Sequence, residues 1–306
     1  MKRGGECTGN FQNIHVTIKA IMFRKKYKKL SIKLFSKTVS GINQILVKTL
    51  GFLPLVSAVS IKQDLDSAAL LDYPKKDIKM SVDSRIELKR LRACSEEPAT
   101  VDWIAKNRRP GDVFYDIGAS VGAYSFIFFA EAKGDCAVYA FEPNPFTFSS
   151  LSKNILLNGM EEKITAFNLA LCDKTGIAKF FYSSLMPGIA SSALENTGNQ
   201  AQLQSKDFQS VLAFTLDDFA DKFGLKHPNM LKIDVDGAEA NVINGAKKIL
   251  ASNELRHILI EIDERIDTHT DTISKIKSSR FNFISKSRAR KSGKKVPVVF
   301  NYIFSR

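Results

Sequence analysis

The feature that most constrains how this chain can fold is the stretch DVFYDIGASVGAYSFIFFAEAKGDCAVYAFEPNPF, residues 112–146. It holds two short apolar runs, Val113–Ile117 and Ala137–Phe141, with a glycine turn, Gly118–Gly122, and a helical segment to about Ala132 between them. A strand, a helix and a second strand in that order pair their strands through a crossover, so the strands are parallel. Each run carries an acid at its carboxyl end, Asp116 in the first and Glu142 after the second. Ligands of parallel sheets bind at that edge.

The same alternation continues on both sides. EPATVDWIAKN reads as a helix that stops before the turn RRPGD, and the segment after EPNP reads as a helix to about Asn158. A third strand, Lys163–Leu169, is followed by the turn DKTG and an alternating hairpin strand. VLAFTLDDFADKF and NMLKIDVDGAEANVINGAKKIL each predict a strand and a helix, and RHILIEID predicts a last parallel strand. RFNFISK and KVPVVFNYIFSR then close the sheet as an antiparallel hairpin. With 306 residues, 44% of them hydrophobic, the chain can fill one large α/β domain and carry an extension. The reading divides it into a basic, mainly helical extension, 1–83, and a sheet domain, 84–306.

A net charge of +13 suggests a nucleic-acid partner until it is divided along the chain. Residues 1–60 carry +10, residues 280–306 carry +8, and the body between them is mildly acidic at −5. Charge therefore says little about the substrate of the body. The longest uncharged run near the amino terminus, Thr49–Ile61, is shorter than the roughly 20 residues of a spanning helix and contains Pro54. The polar start and the late apolar run fit a secretory signal poorly. Four cysteines, at 7, 94, 136 and 172, fall in no metal-binding spacing and read as unpaired thiols of a reducing, cytoplasmic compartment. Histidines 15, 227, 257 and 269 show no ligand spacing either.

A nicotinamide dinucleotide needs G-x-G-x-x-G, whose middle glycine lets the backbone approach a pyrophosphate. Here that middle position is Ser120. A turn with Asp116 at its start and a smooth bed through Gly118, Ala119 and Gly122 suits a cofactor that has an amino group and no phosphate. Glu142 is placed to accept hydrogen bonds from two ribose hydroxyls. That combination points to S-adenosyl-L-methionine, although a glycine pair alone is more often a structural βα loop.

In order, EPATVDWI, GDVFYDIGASVGAYS, FEPNPFTFSSLSKNILLNG, TLDDF, LKIDVDGAEANVINGA and ILIEID resemble the FkbM family of S-adenosylmethionine-dependent methyltransferases. The resemblance covers about residues 84–304 and leaves out the basic extension. It implies a Rossmann-like class I methyltransferase fold, a seven-stranded, mostly parallel sheet with a reversed carboxyl-terminal hairpin. It further implies that the Gly118–Gly122 turn holds the methionine part of the cofactor, Glu142 the ribose, and the segment around Ala170 the adenine, with Asn144 a further cofactor-binding residue. Two positions depart from the family's habit: Ser120 stands where Asn is usual, and Asp236 where Glu is usual.

Methyl transfer to a hydroxyl needs alignment and a group that takes the hydroxyl proton. Lys232, Asp234 and Asp236 alternate along one strand and are expected to point the same way, and Glu239 opens the next helix. These four are the candidate catalytic edge. Asp234, Asp236, Glu239, Glu261 and Asp263 could instead gather around Mg²⁺, with helix capping by Glu239 as the plainer account. The expected activity is O-methylation of a glycan, a lipid-linked sugar or a small metabolite. An RNA methyltransferase or binder is the alternative that the basic ends suggest, but no aromatic-basic stacking platform accompanies them. Segment 183–207 is long and polar and is expected to close over the substrate. If the amino-terminal helix packs beside the final hairpin with its Phe23, Tyr27, Leu30, Leu34 and Phe35, the two basic ends form one face that suits an anionic membrane surface on the cytoplasmic side; a solvated extension is the other reading.

Overall fold

A computed structural model of the chain describes residues 54–64, 67–182, 184–188, 192–195, 197, 207–289 and 298–306, with Gly41, Gln44 and Lys48. The amino-terminal aromatic and leucine residues expected to pack the basic extension beside the final hairpin, and most of segment 183–207, lie outside the described residues. The chain divides into two compact units, Met1–Leu65 and Asp66–Arg306. In the first, a helix spans Leu55–Asp64 (α1), with Leu55 and Val56 exposed. Among the described residues no helix is long and apolar enough to cross a membrane.

The second unit takes in residues 66–83, which the sequence reading assigned to the extension. Its first strands, β1 (Ala68–Leu70) and β2 (Lys79–Ser81), form an antiparallel pair. Leu71, Tyr73, Ile78 and Met80 of this segment are buried in the main core. Three-residue strands leave too little alternation to be read from sequence, so only the packing reveals where they belong.

Helices α2 (Arg85–Arg90), α3 (Ala93–Glu96) and α4 (Pro98–Asn107) lead into β3 (Asp112–Ile117), α5 (Ala123–Glu131), β4 (Cys136–Phe141), α6 (Pro145–Leu157) and β5 (Ile164–Phe167). After short strands come β9 (Phe208–Phe214), α7 (Leu216–Phe223), β10 (Met230–Ile233), α8 (Glu239–Asn244) and α9 (Lys247–Ala251). The chain ends with β11 (His257–Asp263), α10 (His269–Ser278), β12 (Asn282–Arg288) and β13 (Val299–Ser305). The central sheet has the seven strands and the reversed carboxyl-terminal hairpin expected from the sequence, in the order β12-β13-β11-β10-β3-β4-β5. Its parallel pairs run from β11 to β5, and β13 pairs antiparallel with both β11 and β12. The short strands β6 (Ala170–Leu171), β7 (Gly176–Phe181) and β8 (Ala193–Leu194) join β9 in a second, four-stranded sheet.

Apolar side chains alternate between the two faces of the central sheet, so each face has its own core. Phe114 of β3 turns to the α4–α5 side, where it stacks on Phe128 with ring centroids 4.5 Å apart. Tyr115 and Ile117 turn to the other side and pack with α7–α9. From β3 the chain winds outward through β4 to β5, and then returns to β10 on the other flank of β3. The crevice where that direction reverses lies at the carboxyl ends of β3 and β10.

Candidate active site

Two adjoining cavities open at that crevice. The larger, about 740 Å³ including its mouth, carries apolar walls from Ile117, Phe141, Leu169, Leu171, Phe180 and Leu194. Among its polar residues are Ser120, Glu142, Asn144, Ser192, Asp234 and Asp236, and Gly118 and Ala170 also face it. The smaller, about 440 Å³, is bounded by Glu97, Ala119, Tyr124 and Lys232 together with Arg90, Gly118, Ser120 and Asp234, which it shares with the first.

The glycine turn is shaped by close approach. Gly118 sits at φ +76, and a Cβ there would fall 1.8 Å from the Asp234 carbonyl oxygen. Gly122, at φ +96, caps α5, where a Cβ would collide with Leu151 and Phe126. Ser120 itself has a positive φ of 52. Its backbone N–H donates to Glu142 Oε2 at 2.9 Å, and the Asn144 N–H donates to Oε1 at 2.9 Å. Each Glu142 oxygen thus has one fixed donor and acceptor capacity left for another. Burial pushes the Glu142 carboxyl up to about 7, against the two backbone donors that favour its ionised form.

Asn144 serves two tasks. Its Oδ1 accepts from the N–H groups of Phe146 and Thr147 and so caps α6, with Pro145 at the first helical position. Its Nδ2 is buried with no hydrogen-bond partner among the described residues, as are Ser120 Oγ and Ser192 Oγ. Buried polar atoms are nearly always paired, so three orphans around one cavity mark it as a place where a polar ligand completes the bonding.

The candidate catalytic residues separate in the structure. Lys232 is 1% exposed, and its Nζ lies 3.3 Å from both Asp116 Oδ1 and Asp234 Oδ2. Burial opposes its charge, but the carboxylates of Asp234 and Asp116 outweigh burial and hold it well above the ordinary lysine range. Lys232 stays a cation. Asp116 accepts from the Ser125 hydroxyl at 2.7 Å and, being fully buried, lines neither cavity. β10 ends at Ile233, and Asp236 turns at φ 52, so the expected alternation of Lys232, Asp234 and Asp236 breaks off. Asp234 faces both cavities, Lys232 only the smaller and Asp236 only the larger. Glu239 folds back on its own loop, accepting from Gly237 N–H at 3.1 Å, and burial pushes its carboxyl up to about 7. Among the described residues no group of three or more His, Cys, Asp and Glu stands ready to hold a metal ion, so the Mg²⁺ alternative gains no support.

Residues that the sequence reading did not single out complete the site. Ser84 caps α2, and Glu87 ties that helix to α6 through the Ser150 hydroxyl at 2.7 Å, which brings Arg90 over both cavities. Arg90 donates through Nε and Nη2 to the Gly188 carbonyl at 3.1 and 3.0 Å, while Gly188 N–H donates to Thr147 Oγ1. Ser192 and Leu194, from the segment expected to cover the substrate, line the larger cavity. Asn301, in β13, reaches Glu97 Oε2 at 3.3 Å across most of the chain length.

The methyltransferase FkbM domain matches residues 116–283, more than half of the chain. Hexuronic acid methyltransferase AglP of Haloferax volcanii is 25% identical over 189 residues, covering 62% of this chain and 72% of that protein. The 31-O-demethyl-FK506 methyltransferase FkbM of Streptomyces tacrolimicus is 28% identical, covering 45% and 61%, and the 2-O-methyltransferase NoeI of Sinorhizobium fredii is 26% identical, covering 46% and 60%. In the last two the match spans about three fifths of the relative's length. The crevice at the strand reversal, the glycine turn beneath it and the acid after β4 all fall where the matched region begins, and the chain belongs to the FkbM methyltransferase family.

Proposed function

We propose that this chain transfers a methyl group from S-adenosyl-L-methionine to a hydroxyl of a glycan, a lipid-linked sugar or a small metabolite. The observation that carries the reading is Glu142. Its carboxylate is held by two backbone N–H groups at the rim of an apolar-walled cavity, with one acceptor position left on each oxygen for a ribose diol. Orphaned Asn144 Nδ2 and Ser192 Oγ offer donors for the remaining polar edge of a nucleoside. The names of the relatives, a hexuronic acid methyltransferase and a 2-O-methyltransferase among them, support a sugar hydroxyl as acceptor.

When bound, the cofactor supplies a methyl carbon made electrophilic by its sulfonium. The task of the chain is then to align the acceptor oxygen and receive its proton. The Asp234 carboxylate is the base for that task, because it alone of the four candidates faces both cavities. Lys232 holds Asp234 in place from below without facing the larger cavity. Transfer of labelled methyl groups to total glycan, lipid and RNA fractions tests the reading. Label in the glycan or lipid fraction, lost in Asp234→Asn, is expected, whereas label confined to RNA would sink it. The +10 charge of residues 1–60 supports an acceptor presented at an anionic bilayer. Co-sedimentation with anionic but not neutral vesicles, weakened by salt and lost in a chain beginning near Ser60, is expected. Equal recovery of both chains would remove that part.

A further inference from the structure

The crevice of the active site lies at the carboxyl ends of β3 and β10, and a separate cavity opens at the opposite edge of the sheet. Arg108 caps the end of α4 shortly before β3, and Lys133 follows α5 shortly before β4, so both sit toward the amino ends of those strands. Together with Lys75 and Lys76 from the turn between β1 and β2, and with Phe129 and Glu131 of α5, they line about 940 Å³ including its open mouth. Four cations thus share one space with a single carboxylate. Asp77 and Asp135 adjoin Lys76 and Lys133 in the chain but do not line the cavity, and nearby Asp112 is engaged by Arg256 Nη2 at 2.7 Å.

Surface lysines ordinarily spread their charges into water. Here they are gathered. Glu131 is buried at the end of α5, and its Oε1 accepts from Lys75 Nζ and from the Tyr73 hydroxyl, each at 2.6 Å. Its Oε2 lies 4.0 Å from Arg108 Nη2. Burial would raise the Glu131 carboxyl, but the hydrogen bonds from Lys75 and Tyr73 outweigh it and hold the group below its ordinary value. Glu131 therefore stays an anion that draws Lys75 and Arg108 together while matching only one positive charge. Lys76 is placed by the ring of Phe129, its Nζ 4.7 Å from the ring centroid, a contact that orients the ammonium without neutralising it. Arg108 Nε is buried and has no hydrogen-bond partner among the described residues. Buried N–H groups are nearly always paired, so this donor marks a place for an incoming acceptor oxygen.

A concave site with a surplus of positive charge, a forked guanidinium and several ammonium groups is complementary to a compact ligand that carries more than one negative charge and oxygens on several sides. A carboxylate supplies one charge in one plane. We propose that this cavity at the amino edge of the sheet is a second ligand site that binds a phosphate-ester or diphosphate group, with Arg108 as the forked donor and Lys75, Lys76 and Lys133 as point charges around it. Soluble metabolites and lipid headgroups present the same phosphate oxygens. The site lies away from the crevice, so it does not rest on the S-adenosylmethionine reading.

Calorimetry on the full chain with inorganic pyrophosphate as the probe tests the site. Wild-type protein is expected to bind it, and Arg108→Gln to weaken binding by about tenfold or more, the scale of a hydrogen bond to a charged group. Lys76→Gln, on an exposed turn, should give a smaller loss because solvent screens its charge. Lys106→Gln removes the same charge from the same helix as Arg108 but outside the cavity, where Lys106 pairs with Asp102 at 3.4 Å, and should stay within about twofold of wild type. If Arg108→Gln does not fold, the double variant Lys76→Gln/Lys133→Gln, at two exposed positions, carries the same expected loss. Affinity for S-adenosylhomocysteine should be unchanged in every folded variant. Failure of wild-type protein to bind S-adenosylhomocysteine would count against the cofactor reading and leave this site standing. Flotation with phosphatidylcholine vesicles, with and without phosphatidic acid, distinguishes the sources. A gain with phosphatidic acid that depends on Arg108 assigns the phosphate to a headgroup, and no such gain beside pyrophosphate binding assigns it to a soluble ligand. The site is overturned by absence of pyrophosphate binding in wild type, by equal losses in Arg108→Gln and Lys106→Gln, or by an Arg108-dependent preference for an RNA oligonucleotide over pyrophosphate.

Discussion

Glu142 and Lys232 are both buried, both ionisable and both set at the carboxyl edge of the central sheet, yet their charges are managed in opposite ways. Glu142 is held by backbone N–H groups of Ser120 and Asn144, and burial still pushes it up to about 7. Lys232 is held by the side chains of Asp116 and Asp234, which overcome burial and keep it charged. The β4 half of the site is therefore a cradle whose charge is completed when hydroxyl donors arrive. The β10 half carries fixed charge before any ligand enters. Backbone donors come with the fold and tolerate sequence change around them, whereas a side-chain network fails when one member is lost.

The sharpest way to break that contrast is Lys232→Met. Removing one partner of a buried ion pair costs about 3–5 kcal/mol, because Asp116 and Asp234 would be left as facing carboxylates without a cation. Urea denaturation at pH 7 checks this. A variant as stable as the parent would mean that the fixed-charge half is not held by its ion pairs.

Gly118→Ala attacks both halves at once, since Gly118 faces both cavities. A methyl group 1.8 Å from the Asp234 carbonyl oxygen, at a φ of +76, requires the turn and the β10 end to part. Overpacking and left-handed strain together amount to about 3 kcal/mol or more, and cofactor affinity should fall with stability. Loss of stability with unchanged affinity would show that the turn supports the sheet without shaping the site.

Glu142→Gln sharpens the comparison from the other side. Cofactor binding should weaken by about 1.5–3 kcal/mol, the scale of a hydrogen bond to a charged group. In the wild-type protein affinity should fall by up to about tenfold for each pH unit below about 7, because protonation removes an acceptor that the ribose needs. Stability of the ligand-free protein runs the opposite way. The folded carboxyl lies above its ordinary value of 4.5, so its contribution is fully present below that value and is lost as pH rises through about 7. Glu239, also pushed up to about 7, contributes in the same window, so Glu142→Gln should halve the effect without abolishing it. Calorimetry and urea denaturation between pH 5 and 8 give both slopes. An affinity independent of pH would contradict the open-cradle account.

The β4 half was legible in the sequence because its parts are close together in the chain. The strand, the turn 118–122 and the acid at 142 occupy one βαβ unit, where apolar period and glycine position carry the geometry. The β10 half was legible only as a set of acids. Lys232, Asp234 and Asp236 alternate in sequence, but β10 stops at Ile233 and the loop turns at Asp236, which no periodicity could announce. Glu97 and Asn301 meet from opposite ends of the domain, and nothing in either neighbourhood specifies the other. The β1–β2 segment was assigned to the extension for a related reason: its burial is visible only once α6 is in place, with Asn154 and Asn158 accepting from the backbone N–H groups of Ser81 and Lys79. Local signals locate a site built on backbone, while long-range contacts decide one built on side chains.

The smallest expected effect separates structural caps from functional ones. Asn144 and Thr215 both cap helices: Asn144 Oδ1 accepts from Phe146 and Thr147 N–H, and Thr215 Oγ1 accepts from Asp218 N–H at 3.0 Å. Replacing either by Ala should cost about 1 kcal/mol of stability, the usual value of such a cap. Thr215 lines neither cavity, so Thr215→Ala should leave cofactor affinity unchanged. Asn144 faces the larger cavity with an orphaned Nδ2, and its backbone N–H is one of the two donors that hold Glu142. Asn144→Ala should therefore lose affinity as well, by about 1 kcal/mol for one neutral hydrogen bond. Asn144→Asp, which keeps the cap oxygen and removes the amide donor, should retain stability while losing affinity to a similar or greater degree, because it adds a second carboxylate near Glu142. If Asn144→Ala and Thr215→Ala lowered stability equally and neither changed affinity, Asn144 would be a cap and nothing more, and the cradle would consist of Glu142 and the backbone alone.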